Sequence, residues 1–365
     1  MSYKKDRPIS REQQLVIDDY ERHYWKNIGK AVLKDWRLYV MLLPLLLLFL
    51  FWRYLPMYDL TIAFKDANTD GANGNIAKMN YAGLAYFKDL LFGETANYFW
   101  PAFRNTFMLS FYGLIFGFPM PILLALFFSE IKSDITRSIF QIASYLPKFV
   151  SLVVVTTIIG LLLNRIDTSA VIEGATETDP MSKAMTAGVL ARALYSMGII
   201  SEETLTNGML YSPNYFRTIY EVSGIWQDAG YGSIVYFAAI IGISPTNYEA
   251  ARVDGASKMA QIKYVVLPGI LSTIVIMLIM RLGHLMSIGY EKVLLLQTTT
   301  GGGNVSTSEV FSTYVFKLGG LSGATGYSVN KSLGSAADML NAVISMLLVI
   351  GANSISKNAA DTSMF

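Results

Sequence analysis

Met41-Leu42-Leu43-Pro44-Leu45-Leu46-Leu47-Leu48-Phe49-Leu50-Phe51-Trp52 is a run of twelve residues without a charge. A helix built from it is apolar on every side, which suits hydrocarbon and not water. The stretch around it, 38–55, approaches the roughly 20 residues that a helix rising 1.5 Å per residue needs to cross about 30 Å of bilayer. Five more apolar stretches follow at 102–128, 140–163, 219–243, 266–288 and 333–352. The chain is 53% hydrophobic and 15% charged, against about 25% charged in an ordinary soluble domain. These features predict an all-α polytopic membrane protein with about six transmembrane helices, embedded in a lipid bilayer.

Smaller features refine the expectation. Pro119 and Pro121 predict a kink in the second span. The first span is not expected to be a cleaved signal peptide, because polar residues 1–37 precede it and no small-residue cleavage site follows. Six spans place both termini on one side. With the N-terminus cytoplasmic, that side holds 15 Lys and Arg residues and the opposite loops hold 9, which favours this orientation. Residues 1–37, with Arg22, Lys26, Lys30, Lys34 and Arg37 interleaved with Trp25, Ile28, Val32, Leu33 and Trp36, read as an amphipathic segment at the membrane surface. Residues 164–213 form the longest polar excursion and are expected outside the cell, with a helical patch at Gly188–Leu194. Residues 353–365 form a cytoplasmic tail.

Several functions are excluded. The chain has no cysteine, so disulfides, thiolate metal sites and a cysteine nucleophile do not arise. Its two histidines, His23 and His284, fall at different sides or depths and lack companions at metal-ligand spacing. No catalytic group and no metal site are expected. A net charge of +2 gives no sign of nucleic acid as a partner.

The polar loop 244–265, between the fourth and fifth spans, is the most informative segment. Thr246 with Glu249 three residues later fits a capping box. A short helix is then expected from Asn247 to Val253, with Asp254 bonding at its end and Gly255 supplying the left-handed residue that stops it. Ala250 and Ala251 leave room for a partner surface, and Tyr248 offers a bulky anchor. The chain restarts as a helix entering the membrane at Leu267-Pro268.

Intramembrane polar residues are the default candidates for a solute path, because charge is costly in hydrocarbon. Trp226, Gln227 and Asp228 lie together in the fourth span, and Arg281 and His284 share a face of the fifth, which Ile288 and Glu291 continue. Asp228 is 15 residues from Ile243, and Arg281 is 15 residues from Val266, so in straight antiparallel helices both lie about 22 Å above the cytoplasmic end. An Asp228–Arg281 pair is therefore expected, as a structural clasp or as part of a ligand path. Trp226 has two readings, a platform for a sugar ring or an interfacial aromatic.

The pattern Glu249-Ala250-Ala251, three residues, Gly255, nine residues, Val265, one residue, Leu267-Pro268 resembles the ATPase-docking loop of importer permeases of the ATP-binding cassette (ABC) superfamily. Further stretches are similar to the polysaccharide-type branch of carbohydrate-uptake permeases. They are Tyr54-Leu55-Pro56-Met57-Tyr58, Ile62-Ala63-Phe64-Lys65-Asp66, Asn105-Thr106, Pro121-Ile122-Leu123-Leu124-Ala125-Leu126, Tyr145-Leu146-Pro147 and Ser223-Gly224-Ile225-Trp226-Gln227. Asp59 and Ser129-Glu130 depart from that branch, and residues 168–211 form a long loop for it.

The resemblance implies a type I importer permease that works by alternating access beside a second permease. It also implies a dimer of ABC ATPases on the cytoplasmic loops, an extracellular solute-binding lipoprotein and a carbohydrate substrate. The chain has no G-x-x-x-x-G-K-[ST] phosphate loop, so ATP and magnesium belong to the partner ATPase and no cofactor is expected on this chain. A permease for a peptide or another solute is the rival within transport. A non-conducting membrane sensor or assembly subunit is the rival outside it.

Overall fold

A computed structural model describes residues 34–69, 74–163, 187–298, 303–320 and 329–360. Residues 1–33 of the amphipathic segment expected at 1–37 and residues 361–365 of the tail expected at 353–365 lie outside them. The chain divides into two units, 1–61 and 62–365.

The described part of the first unit is a helix, α1 (Trp36–Phe49), prolonged by a π turn at Leu50–Tyr54 and a 3-10 stretch that runs on to Phe64. Residues 34–60 are all exposed. A helix that is apolar all round belongs in lipid or against another apolar surface.

The second unit opens with a two-stranded antiparallel ribbon, β1 (Lys65–Asp66) against β2 (Asn80–Tyr81). The helices α2 (Ala85–Phe92) and α3 (Ala96–Tyr112) follow. A π turn at Gly113–Gly117 joins α3 to α4 (Pro119–Glu130), giving a 35-residue apolar helix, Ala96–Glu130. The expected proline kink is absorbed there. Pro119 has no N–H to give, and the wider turn closes instead through Phe118 N–H donating to Gly113 O at 3.0 Å.

The third apolar stretch is not one straight span. It is α5 (Asp134–Tyr145) and α6 (Leu152–Leu163), set at 96° to each other. Pro147 ends the first helix in a 3-10 turn, Leu146–Phe149, and Val150 is extended at φ −74°, ψ 132°. Outside the spans, α7 (Val189–Ser196) falls where a helical patch was expected, and α8 (Glu202–Asn207) follows.

The fourth span is the 29-residue α9 (Pro213–Ile241), which bends by 70° into α10 (Pro245–Val253). The fifth is broken by 62° between α11 (Lys258–Gly269, with a π turn at Ile262–Val266) and α12 (Leu271–Gly283). It ends at Gly283, not at 288. His284, Leu285 and Ser287 turn back in short bonds, and Gly283 packs so close to Val349 that an added Cβ would lie 2.8 Å from Cγ2. Ile288 and Glu291 therefore do not continue the Arg281 face. Glu291 belongs to α13 (Tyr290–Thr298). After α14 (Val305–Ser308) and α15 (Phe311–Leu318), α16 (Lys331–Ala360) supplies the last apolar helix, Lys331–Ser354.

Three clusters hold these helices together. Phe216 and Leu210 pack with Val293 and Val310, Phe99 with Tyr314 and Ala336, and Ala125 with Tyr236 and Ile270. Among the described residues, by length and composition, there are three continuous apolar helices, or up to six spans if each bent pair counts as one.

Candidate functional site: a hinge helix and a charged cavity

The α10 helix starts two residues earlier than its sequence suggests. Pro245 takes the first helical position, where its missing N–H costs nothing. Ser244 precedes it, and its hydroxyl pairs with that of Thr246 at 2.9 Å. Thr246 and Glu249 are thus both inside the helix, and the expected capping box is not made. The carboxylate of Glu249 stays exposed and free to meet something else.

The other end is built as expected. Gly255 has φ +74°, with Gly255 N–H donating to Arg252 O at 3.1 Å and Ala256 N–H to Ala251 O at 2.9 Å. This pair of bonds is a Schellman stop. A Cβ at Gly255 would meet nothing within 4 Å, so glycine is needed there for its backbone freedom and not for space. Asp254 is the exposed C-cap. Ser257 then caps the next helix, accepting from Ala260 N–H at 3.3 Å.

Tyr248 does not face outward. It is half-buried and packs on the Ala125, Tyr236 and Ile270 cluster, anchoring α10 to its own body. Burial, then the nearby Glu130 carboxylate, pushes its phenol up. Lys258 is tied to Glu130 at 2.8 Å. The outward surface consists of Glu249, Ala250, Arg252 and Val253, with Ala251 half-buried. Val253 is 87%, Met259 72% and Tyr264 69% exposed. These are three exposed apolar side chains in an otherwise polar loop. Leu267 is half-buried and Pro268 exposed where the chain turns back.

The second feature is a cavity of about 880 Å³ between α3, α4, α9, α12 and α13. Its size suits a small organic solute, for which pockets of about 300–1,000 Å³ are usual. Gln227, Asp228, Arg281 and His284 line it, whereas Trp226 is 53% exposed and does not. Gln227 Nε2 donates to Val150 O at 3.4 Å, and the His284 ring bonds Met280 O at 2.9 Å.

The expected Asp228–Arg281 pair is not formed. Lys148 takes Asp228 instead, Nζ to Oδ1 at 2.7 Å, from the break between α5 and α6. Equal counting along two straight helices fails because the Arg281 helix is bent at Ile270. Glu221 and Lys292 also line the cavity. Lys292 donates to Tyr220 O at 3.0 Å and lies 4.5 Å from the centre of the Tyr220 ring. Sequence reasoning missed Lys148, Glu221 and Lys292. Each was already visible as a charge within or beside an apolar stretch.

Apolar spans around a charged cavity, with a short exposed helix rigidly joined to two of them, define a membrane transport permease. Residues 117–308 match the family described as "Binding-protein-dependent transport system inner membrane component". The chain is 32% identical to Protein LplB of Bacillus subtilis (strain 168), over 92% of this chain and 93% of that protein. It is 31% identical to the polygalacturonan/rhamnogalacturonan transport system permease protein YteP of the same organism, over 95% of each. It also superposes, with a TM-score of 0.73 and 36% identity over 92% of this chain and 99% of the other, on a chain of a bacterial ABC transporter involved in the import of the acidic polysaccharide alginate. The same transporter in complex with an alginate pentasaccharide-bound periplasmic protein gives a TM-score of 0.72. The chain therefore belongs to the binding-protein-dependent inner membrane component family and is an ABC importer permease.

Proposed function

We propose that this permease, paired with a second one, imports an oligosaccharide delivered by an extracellular solute-binding lipoprotein. A dimer of ABC ATPases, using ATP and magnesium, drives it through α10. The observation that carries this reading is the outward face of that helix. Glu249, Ala250, Arg252 and Val253 are exposed on an element held at both ends, by Tyr248 packing and the Gly255 stop. A push on α10 is transmitted directly to α9 and α11, because each joins it through only a few residues. Rigid-body rocking of packed helices is the usual response to such a push.

The carbohydrate class is supported by the relatives, one a polygalacturonan/rhamnogalacturonan permease and one a chain from an alginate importer. The excess of Lys and Arg on one side supports cytoplasmic termini, with α10 on the same side.

The test is purification of the tagged chain from its native membranes in mild detergent, with and without Glu249→Lys and Gly255→Asp. Recovery of a second permease and a cassette ATPase, with the ATPase lost in the variant, is expected. A wild-type chain that purifies alone, under conditions that preserve known importers, overturns the assembly.

A further inference from the structure

We propose that Glu221 and Arg281, which the bare backbone of Gly113 lets stand side by side on the cavity wall, together seat a pair of adjacent sugar hydroxyls, an inference that rests on the carbohydrate importer proposed above. The carboxylate accepts from one hydroxyl while the guanidinium donates to the oxygen beside it.

Both side chains pack against the face of Gly113 that carries no side chain. Gly113 begins the π turn of the second span. A Cβ added there would lie 2.9 Å from a terminal guanidinium nitrogen of Arg281, and 3.3 and 3.7 Å from the two carboxylate oxygens of Glu221. Both groups line the cavity. They face the same side of Gly113 without forming an ion pair. Neither is ion-paired or hydrogen-bonded to any described residue.

Their neighbours are engaged. Lys148 holds Asp228, Lys292 holds the Tyr220 carbonyl, and His284 holds Met280 O. An acceptor and a donor thus remain on the cavity wall beside Gly113.

The chemistry selects the occupant. A carboxylate only accepts and a guanidinium only donates, so the matching group offers both an O–H and a lone pair within one short span. Adjacent hydroxyls on a sugar ring do this. A carboxylate ligand satisfies Arg281 but brings like charge against Glu221. The cavity wall also carries Lys148, Arg281 and Lys292 against Glu221, Asp228 and Glu291, a balance that does not concentrate anions.

The test uses the assembled importer with Gly117→Cys, the sole thiol of a chain that has no natural cysteine. A Cβ at Gly117 sits 3.9 Å from Ile225 and 4.0 Å from Arg281, in ordinary contact. The rate at which a methanethiosulfonate reagent modifies this chain is measured with neutral galactotriose or trigalacturonate present. Galactotriose is expected to protect the thiol. Glu221→Gln and Arg281→Gln are each expected to raise the half-protecting concentration roughly tenfold, the scale of a lost bond to a charged group.

Gly113→Ala, whose Cβ 2.9 Å from the guanidinium nitrogen pushes Arg281 aside with both charges kept, should do the same and should assemble normally. Protection unchanged in all three variants overturns the seat. So does protection by trigalacturonate alone that tightens in Glu221→Gln, which would make Arg281 a carboxylate site. If neither trisaccharide protects the unmutated chain, the carbohydrate reading itself fails and the seat with it.

Discussion

Lys148 Nζ lies 2.7 Å from Asp228 Oδ1, joining the break in the third span to the middle of the fourth. The two side chains keep 44% and 61% of their exposure and line the cavity, and an ion pair open to water contributes on the order of 0–1 kcal/mol. Its expected role is alignment. Asp228→Lys and Lys148→Asp should each lower the amount of assembled importer, and the doubly reversed chain should recover it, as read by size-exclusion profiles. Exchanging Asp228 with Arg281 should recover nothing.

Gly230 on α9 meets α5 at the closest approach between helices in the second unit's glycine contacts. A Cβ there would lie 1.9 Å from Ser144 O and 2.4 Å from its carbonyl carbon. These are backbone atoms and cannot swing aside. Gly230→Ala should cost more than the usual 1–3 kcal/mol of overpacking and abolish accumulation in the membrane. Gly232→Ala, facing Pro121 Cγ at 3.2 Å, should accumulate at close to the wild-type level.

At Gly255 the constraint is torsional, since φ is +74° and an added Cβ meets nothing within 4 Å. A left-handed residue with a side chain costs about 1–2 kcal/mol, least for asparagine. ATPase recovery on the purified permease should fall in the order Gly, Asn, Ala, Val at this position. Equal recovery for Asn and Val would show that the stop of α10 does not matter for docking.

The sequence carried the parts of this architecture that depend on local composition. Six apolar stretches, a short helix at the hinge and the glycine that ends it follow from hydropathy and backbone preference. What was not legible depends on bends. Pro147 and Pro268 are plain in the sequence, but the angles of 96° and 62° beside them are tertiary. Those angles decide that Asp228 meets Lys148 and that Arg281 faces Glu221. The side on which Tyr248 anchors was not legible for a related reason, because its inward face appears only once α10 folds 70° away from α9.

The buried pair Glu309 and Lys317, on α15 and the residues before it, keeps only 7% and 10% of its side-chain exposure. Thr313 Oγ1 donates to the same carboxylate at 3.1 Å. Asn105 Nδ2 on α3 donates to the Glu309 carbonyl at 3.0 Å, while Arg217 on α9 donates to Asn105 Oδ1 at 3.0 Å. The network thus joins three elements around one charge. Breaking a buried pair by removing one partner costs about 3–5 kcal/mol, because the other charge is left without compensation. Lys317→Met should therefore lower the unfolding temperature of the purified importer sharply. Glu309→Gln should do so too, since it removes the carboxylate charge that the buried ammonium faces. The double variant removes both charges and should regain most of the loss, a coupling that a double-mutant cycle reads directly. If the double variant is instead as unstable as the sum of the two singles, the ion pair is not what holds α15 in place, and the neutral bonds from Asn105 and Thr313 carry it.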